Sequence, residues 1–119
     1  MGGVHVEIVV VNPRTGARSG EITAPADTGA TLTVIPGDVL RRPGIQTVRR
    51  VSLALADGRR AERDVGDAAA AINGEAVPCR VSFGESGDAV LLGLTVLEQA
   101  GLAVDPVQRR LVPADFLLY

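Results

Sequence analysis

Asp27-Thr28-Gly29-Ala30 sets an acid, a hydroxyl and a glycine in consecutive positions. At the end of an extended segment, that order suits a tight turn that aims one carboxylate into a site. Gly29 would let main-chain amides approach the carboxylate, and Thr28 can donate or accept hydrogen bonds beside it. An ordinary Asx-type turn uses the same residue types, so these four positions alone leave both readings open. The rest of the chemical repertoire is narrow. A single cysteine, Cys79, allows no internal disulfide and no cysteine-based zinc site, and a single histidine, His5, almost at the N-terminus, argues against a Ser-His-Asp or Cys-His centre within one chain. All twelve basic residues are arginine, which leaves no lysine for Schiff-base chemistry. Asp57 and Asp105 precede Gly58 and Pro106 and read as turn residues. Glu62, Asp64 and Asp67, with their arginine neighbours, read as a solvated hairpin face with weak ion pairs. No spacing suggests a carboxylate-only metal site. His5 reads as an outward strand residue and Cys79 as a small buried hydrophobe. What remains is carboxylate chemistry, with neither metal nor organic cofactor implied.

The positioning framework must come from one domain, residues 1–119, because 119 residues is about one domain long. An apolar fraction of 46% is ample for a core, and 22% charged residues keep such a chain in solution. The net charge of −2, without any Lys/Arg cluster, argues against nucleic acid as a partner. Only 3% aromatic residues and no tryptophan argue against base stacking and aromatic cages. No apolar run approaches the length of a membrane-spanning helix, and no signal-like stretch opens the chain. Val6 stands where a myristoylation pattern needs Ser or Thr. The expectation is a cytoplasmic domain without a membrane partner.

Period-two patterning dominates. Val4, Val6, Ile8 and Val10 predict a first strand, closed by the turn Asn12–Gly16, with Ser19–Ala24 returning antiparallel. Thr31–Ile35 is β-branched and predicts another strand, broken at Pro36-Gly37-Asp38, with one helical turn over Val39–Arg42. Asp57-Gly58 predicts a hairpin after Val51, Leu53 and Leu55, and Asn73-Gly74 a second between Ala68–Ile72 and Glu75–Val81. Pro78 belongs on an edge or at a bulge. Ala89–Leu92 predicts a short strand ended by Gly93. One convincing helix follows, Val96–Ala100, with Thr95 and Glu98 at capping-box spacing and Gly101 as its C-terminal cap. Leu102–Val104 and Leu111-Val112 complete a last hairpin, and Phe116–Tyr119 is apolar for a chain end.

Taken in order, Asp27–Ala30, the hairpin around Ala56–Arg59, Leu91-Leu92-Gly93 and the helix Thr95–Gly101 resemble the retropepsin-like (retroviral-type) aspartic peptidases. The ending Leu102–Pro113 is similar to that of cellular, bacterial-type members. The resemblance covers about Val4 to Pro113 and rests on order and spacing, since each motif alone is common. It implies a mostly β fold, a small closed β-barrel with one short helix late in the chain. It also implies that Asp27 is the catalytic aspartate, Thr28 the threonine that bonds across a two-fold axis, and Gly29 the glycine that shapes the loop and faces substrate. Ala30 matches the retroviral-type choice. Leu91, Leu92 and Gly93 match the strand behind the active-site loop, and Ala56, Asp57 and Gly58 the flap tip that closes over a peptide. Pro25-Ala26 stands where retroviral enzymes usually place a large aliphatic residue, and Thr31 and Leu94 replace the Asp and Arg of their ion pair.

Aspartic peptidase chemistry needs two carboxylates sharing one proton, a known pattern for this enzyme class. This chain has one Asp-Thr-Gly, so the resemblance implies a homodimer that brings Asp27 to its symmetry mate and hydrolyses a peptide or protein substrate. The apolar ends Val4–Val11 and Phe116–Tyr119 could then form interface strands; the alternative is a core strand and a frayed tail, and for the tail it fits equally well. The alternatives are a non-catalytic peptide-binding or dimerisation module of the same fold, and an unrelated small β-barrel in which Asp27 is only a turn residue.

Overall fold

The computed structural model describes residues 3–55 and 57–116. Strand β1 (His5–Val11) buries Val6, Ile8 and Val10 and exposes His5 and Glu7, as strict alternation requires. Strand β2 (Arg18–Asp27) returns antiparallel, with Ile22 opposite Ile8. It runs past the expected end at Ala24, through Pro25 and Ala26, to finish on Asp27. That extension delivers the acid at a strand terminus.

Strand β3 (Thr33–Pro36) leads directly into helix α1 (Gly37–Arg41). The strand ends at Pro36-Gly37-Asp38 as expected, and the helical turn expected from Val39 starts two residues earlier, at Gly37, with Pro36 at its N-cap. Proline suits a helix start because the first amides there lack helical acceptors anyway. Strand β4 (Thr47–Ala54) pairs antiparallel with the long β5 (Arg60–Ile72), which is continuous where two separate extended runs were expected. Asn73 and Gly74, at φ 51° and 84°, turn β5 into β6 (Glu75–Gly84), the backbone geometry that an Asn-Gly hairpin favours. Pro78 pairs with Ala69, while β3 covers β6 only from Val81 to Gly84, so the proline lies on a locally uncovered edge.

The expected strand Ala89–Leu92 is reduced to β7 (Leu92–Gly93). Helix α2 (Leu94–Gln99) follows at once, capped by Gly93 without a side-chain bond. The predicted capping box therefore does not form: Thr95 lies inside the helix rather than before it. Gly101, at φ 70°, ends the helix as expected. Strands β8 (Leu102–Asp105) and β9 (Arg110–Pro113) make the last hairpin. Asp105 Oδ1 accepts the N–H groups of Val107 and Gln108 in its turn.

The chain is thus mostly β, with two short helices rather than one among the described residues. The main sheet runs β3-β6-β5-β1-β2-β7, with β4 added to β5. Among the described residues, its two ends meet at the bridge Val34–Leu91. The core is aliphatic, led by Ile8, Ile35, Leu40, Leu92 and Leu97. Each such side chain contributes about 1.5–3 kcal/mol on burial. Val4, Val6, Ile8 and Val10 belong to that core, so β1 is a core strand. No helix among the described residues is long and apolar enough to cross a membrane.

Candidate active site

Asp27 ends β2 beside β7, with Ala26 opposite Leu92 and Asp27 opposite Gly93 in a parallel pairing. The chain then turns sharply. Gly29 N–H donates to Asp27 Oδ1 at 2.9 Å, and Ala30 N–H to the Asp27 carbonyl at 3.2 Å. A Cβ added at Gly29 would lie 3.3 Å from that same Oδ1, so glycine keeps the carboxylate uncrowded. Asp27 is half-buried, whereas Thr28 and Gly29 are exposed.

The segment behind the loop is tied in from three directions. Gly93 N–H donates to Thr33 Oγ1 at 2.8 Å, and Leu94 N–H to the Ala30 carbonyl at 2.7 Å. Val34 and Leu91 exchange both main-chain bonds at 2.9 and 3.0 Å. The approach at Gly93 is so close that a Cβ there would stand 2.7 Å from the carbonyl oxygens of Thr31 and Leu32. Glycine is the residue this crossing requires.

Asp27 opens onto a cleft of about 620 Å³. Gly29 and Ala30 border it from the loop, Leu91 from the segment before β7, and Leu53, Ala54 and Leu55 from the β4–β5 hairpin. The hairpin turn is held by Leu55 N–H on the Arg59 carbonyl (2.8 Å) and Gly58 N–H on the Leu55 carbonyl (3.0 Å), with Gly58 at φ 86°. Asp57 accepts Arg59 N–H (3.0 Å) and Arg59 Nε (2.6 Å), and these bonds hold its carboxyl below the usual range. Asp57 and Gly58 are exposed at the tip and do not line the cleft; Ala56 lies outside the described residues.

Three further cleft residues escaped the sequence reading. Arg63, expected on a solvated face, has a side chain only 16% exposed and grips Asp88 with two bonds, 2.7 and 2.9 Å. Chiefly through that contact, the Asp88 carboxyl is pulled down to about 2. Ser82, fully buried, borders the same cleft. The available signal was parity: Arg63 is two residues from the buried Val65 and shares its face of β5. Cys79, expected to be buried, is half-buried against the core, and desolvation pushes its thiol up to about 11.

A second groove, of about 860 Å³, lies on the other side of the loop, where Thr28, Leu94 and Phe116 meet α2 and β8. Leu94 is 36% and Phe116 72% exposed there; residues 117–119 lie outside the described residues.

No protein-family profile matches the chain, and no curated protein matches it. Among solved structures it is similar to the solution structure of Simian Foamy Virus (mac) protease, at a TM-score of 0.53 and 20% identity, covering 78% of this chain and 90% of that one. With an acid at the end of β2, a glycine crossing behind it and a hairpin bordering its cleft, the fold of this chain is retropepsin-like.

Proposed function

We propose that two copies of this chain join about a two-fold axis as an aspartic endopeptidase, with one Asp27 from each as the catalytic pair. The observation that carries this reading is the placement of Asp27: at a strand end, its Oδ1 held by Gly29 N–H, facing a cleft bounded by the β4–β5 hairpin. Two like charges at close range cannot both ionise cheaply, so the pair holds one shared proton. The ionised carboxylate takes a proton from water as the water oxygen bonds to the peptide carbonyl carbon. The protonated carboxyl gives its proton to the carbonyl oxygen. As the tetrahedral diol collapses, the C–N bond breaks, one carboxyl passes its proton to the departing amine nitrogen, and the other carboxylate takes a proton from a diol hydroxyl, which restores the single shared proton.

Thr28 bonds across the axis in this reading, supported by its exposure beside the groove that holds Leu94 and Phe116, two apolar side chains that would supply surface for the partner copy. Gly29 and Ala30 face the peptide. Leu91, Leu92 and Gly93 support the loop from behind, and the β4–β5 hairpin, with Asp57 and Gly58 at its tip, bends over an extended peptide and meets it through main-chain bonds. The ending Leu102–Pro113 supports a cellular, bacterial-type member of this group.

The test is hydrolysis of a peptide library by the purified chain over a range of protein concentrations. Cleavage whose specific activity rises with concentration as dimers form, and which is lost in Asp27→Asn, is the expected result. A monomer that binds peptides without cutting them would instead establish the non-catalytic module.

A further inference from the structure

Ser82 is fully buried, and its Oγ has no hydrogen-bond partner among the described residues. An unpartnered buried hydroxyl is costly, so it calls for an explanation. Its neighbours in the sheet are set by register: Ser82 lies opposite Val34 on one side and Val65 on the other. Val81 and Phe83, which flank it in sequence, point into the core, so Ser82 faces the other way, toward the Asp27 cleft that it borders. Arg63 shares the face of Val65 and borders the same cleft together with Asp88.

The Arg63 guanidinium carries five N–H donors. Nε and Nη2 each give one to Asp88, and Nη1 gives one to the Glu62 carbonyl while lying 3.6 Å from Glu85 Oε1, which leaves two that make no hydrogen bond among the described residues. Arg63 is ion-paired with two carboxylates, Asp88 and the more exposed Glu85, so this wall holds no uncompensated positive charge, while hydrogen-bonding capacity is left over. Around it the lining is apolar, from Val34, Leu53 and Leu91.

We infer that Ser82, Arg63 and Asp88 form a side-chain pocket selecting a peptide residue with an uncharged hydrogen-bonding group, an amide or a hydroxyl. This rests on the peptidase reading and names the substrate class of that same cleft. An apolar side chain seated here would cover Ser82 Oγ and the free Arg63 donors without pairing them. A charged one would compete with an ion pair already satisfied. An amide or hydroxyl both donates and accepts, and so meets both kinds of leftover capacity. In the free chain Ser82 Oγ is closed to solvent, so a ligand group pairs with it only as the cleft wall adjusts around the bound side chain.

The experiment measures binding and cleavage separately. Extended peptides carrying Asn, Ser, Leu or Glu at each position in turn are titrated calorimetrically into the Asp27→Asn chain and into Asp27→Asn/Ser82→Ala, and the same peptides are offered to the unmodified chain for hydrolysis. At one position Asn or Ser should bind about five- to tenfold tighter than Leu, and Ser82→Ala should bring that ratio close to one. The same substitution should leave the free chain at least as heat-stable, since it removes a hydroxyl that bonds to nothing. Leu preferred at every position, or an Asn-to-Leu ratio untouched by Ser82→Ala, overturns the pocket. If the polar preference appears in binding while the unmodified chain cleaves nothing, the pocket stands and the peptidase reading falls. Failure of every peptide to bind overturns both.

Discussion

Gly93 N–H donates to the buried Thr33 hydroxyl at 2.8 Å, joining residues sixty apart in sequence directly behind the Asp27 loop. Thr33 is 1% exposed, so this bond has no water to replace it. Thr33→Val keeps the shape but strands the Gly93 amide, and should cost about 1–3 kcal/mol. Thr33→Ser, which keeps the acceptor, should recover much of the loss. Urea unfolding of the three chains measures both.

Gly93 itself tolerates no side chain. Gly93→Ala forces a Cβ to 2.7 Å from main-chain atoms of Thr31 and Leu32, which cannot swing aside as a side-chain end could. A destabilisation of about 1–3 kcal/mol or more is expected, typical of overpacking. Gly20→Ala is the control, because open space surrounds that position; its change should stay within about 0.5 kcal/mol. Equal losses from the two would show that the crossing is looser than its geometry.

Asp27→Asn retains an Oδ1 to accept the Gly29 N–H, so the loop should survive while the proton chemistry does not. Hydrolysis should fall by about 10²–10⁴, with the circular dichroism spectrum and melting temperature close to those of the parent.

The Arg63–Asp88 pair predicts a pH dependence of stability. The Asp88 carboxyl lies at about 2 in the fold against an ordinary 3.8. A carboxylate with a lowered folded value contributes its stabilisation fully above the ordinary value and loses it as pH falls toward the folded one. Asp88→Asn should therefore melt below the parent at pH 6, and the gap should close between about pH 4 and pH 2. A gap of constant size down to pH 2 would mean that the pair adds nothing through its charge.

Much of this architecture was legible because it is written in local periodicity. The alternation of Val6, Ile8 and Val10 defined β1, and Asn73-Gly74 defined the β5–β6 turn. The order of Asp27–Ala30 and Leu91–Gly93 pointed to the crossing, but not to its short contacts, which depend on a register that no local window contains. The edges of elements were misjudged where tertiary pairing overrode local preference. β2 runs through Pro25 because its N-terminal partner β1 and its C-terminal partner β7 hold it extended. Gly93, not Thr95, caps α2 because the helix must start where β7 leaves the loop. Arg63 looked solvated among neighbouring charges; only the distant Asp88 reveals its inward aim. Ser82 gave no signal at all, since a lone serine in a strand carries no mark of which face it takes.

β5 carries three different neighbourhoods on one unbroken backbone. Residues 60–64 are paired with β4 alone, residues 65–72 with β6, and Ala69–Ala71 with β1 as well. The outboard half of this strand is part of the hairpin, and its inboard half is clamped inside the sheet, with no loop between to absorb bending. The hairpin behaves as a cantilever rather than a hinged cover. Deflecting its tip loads the Ala-rich stretch beneath, and deuterium should enter the amides of residues 60–64 long before those of 69–71.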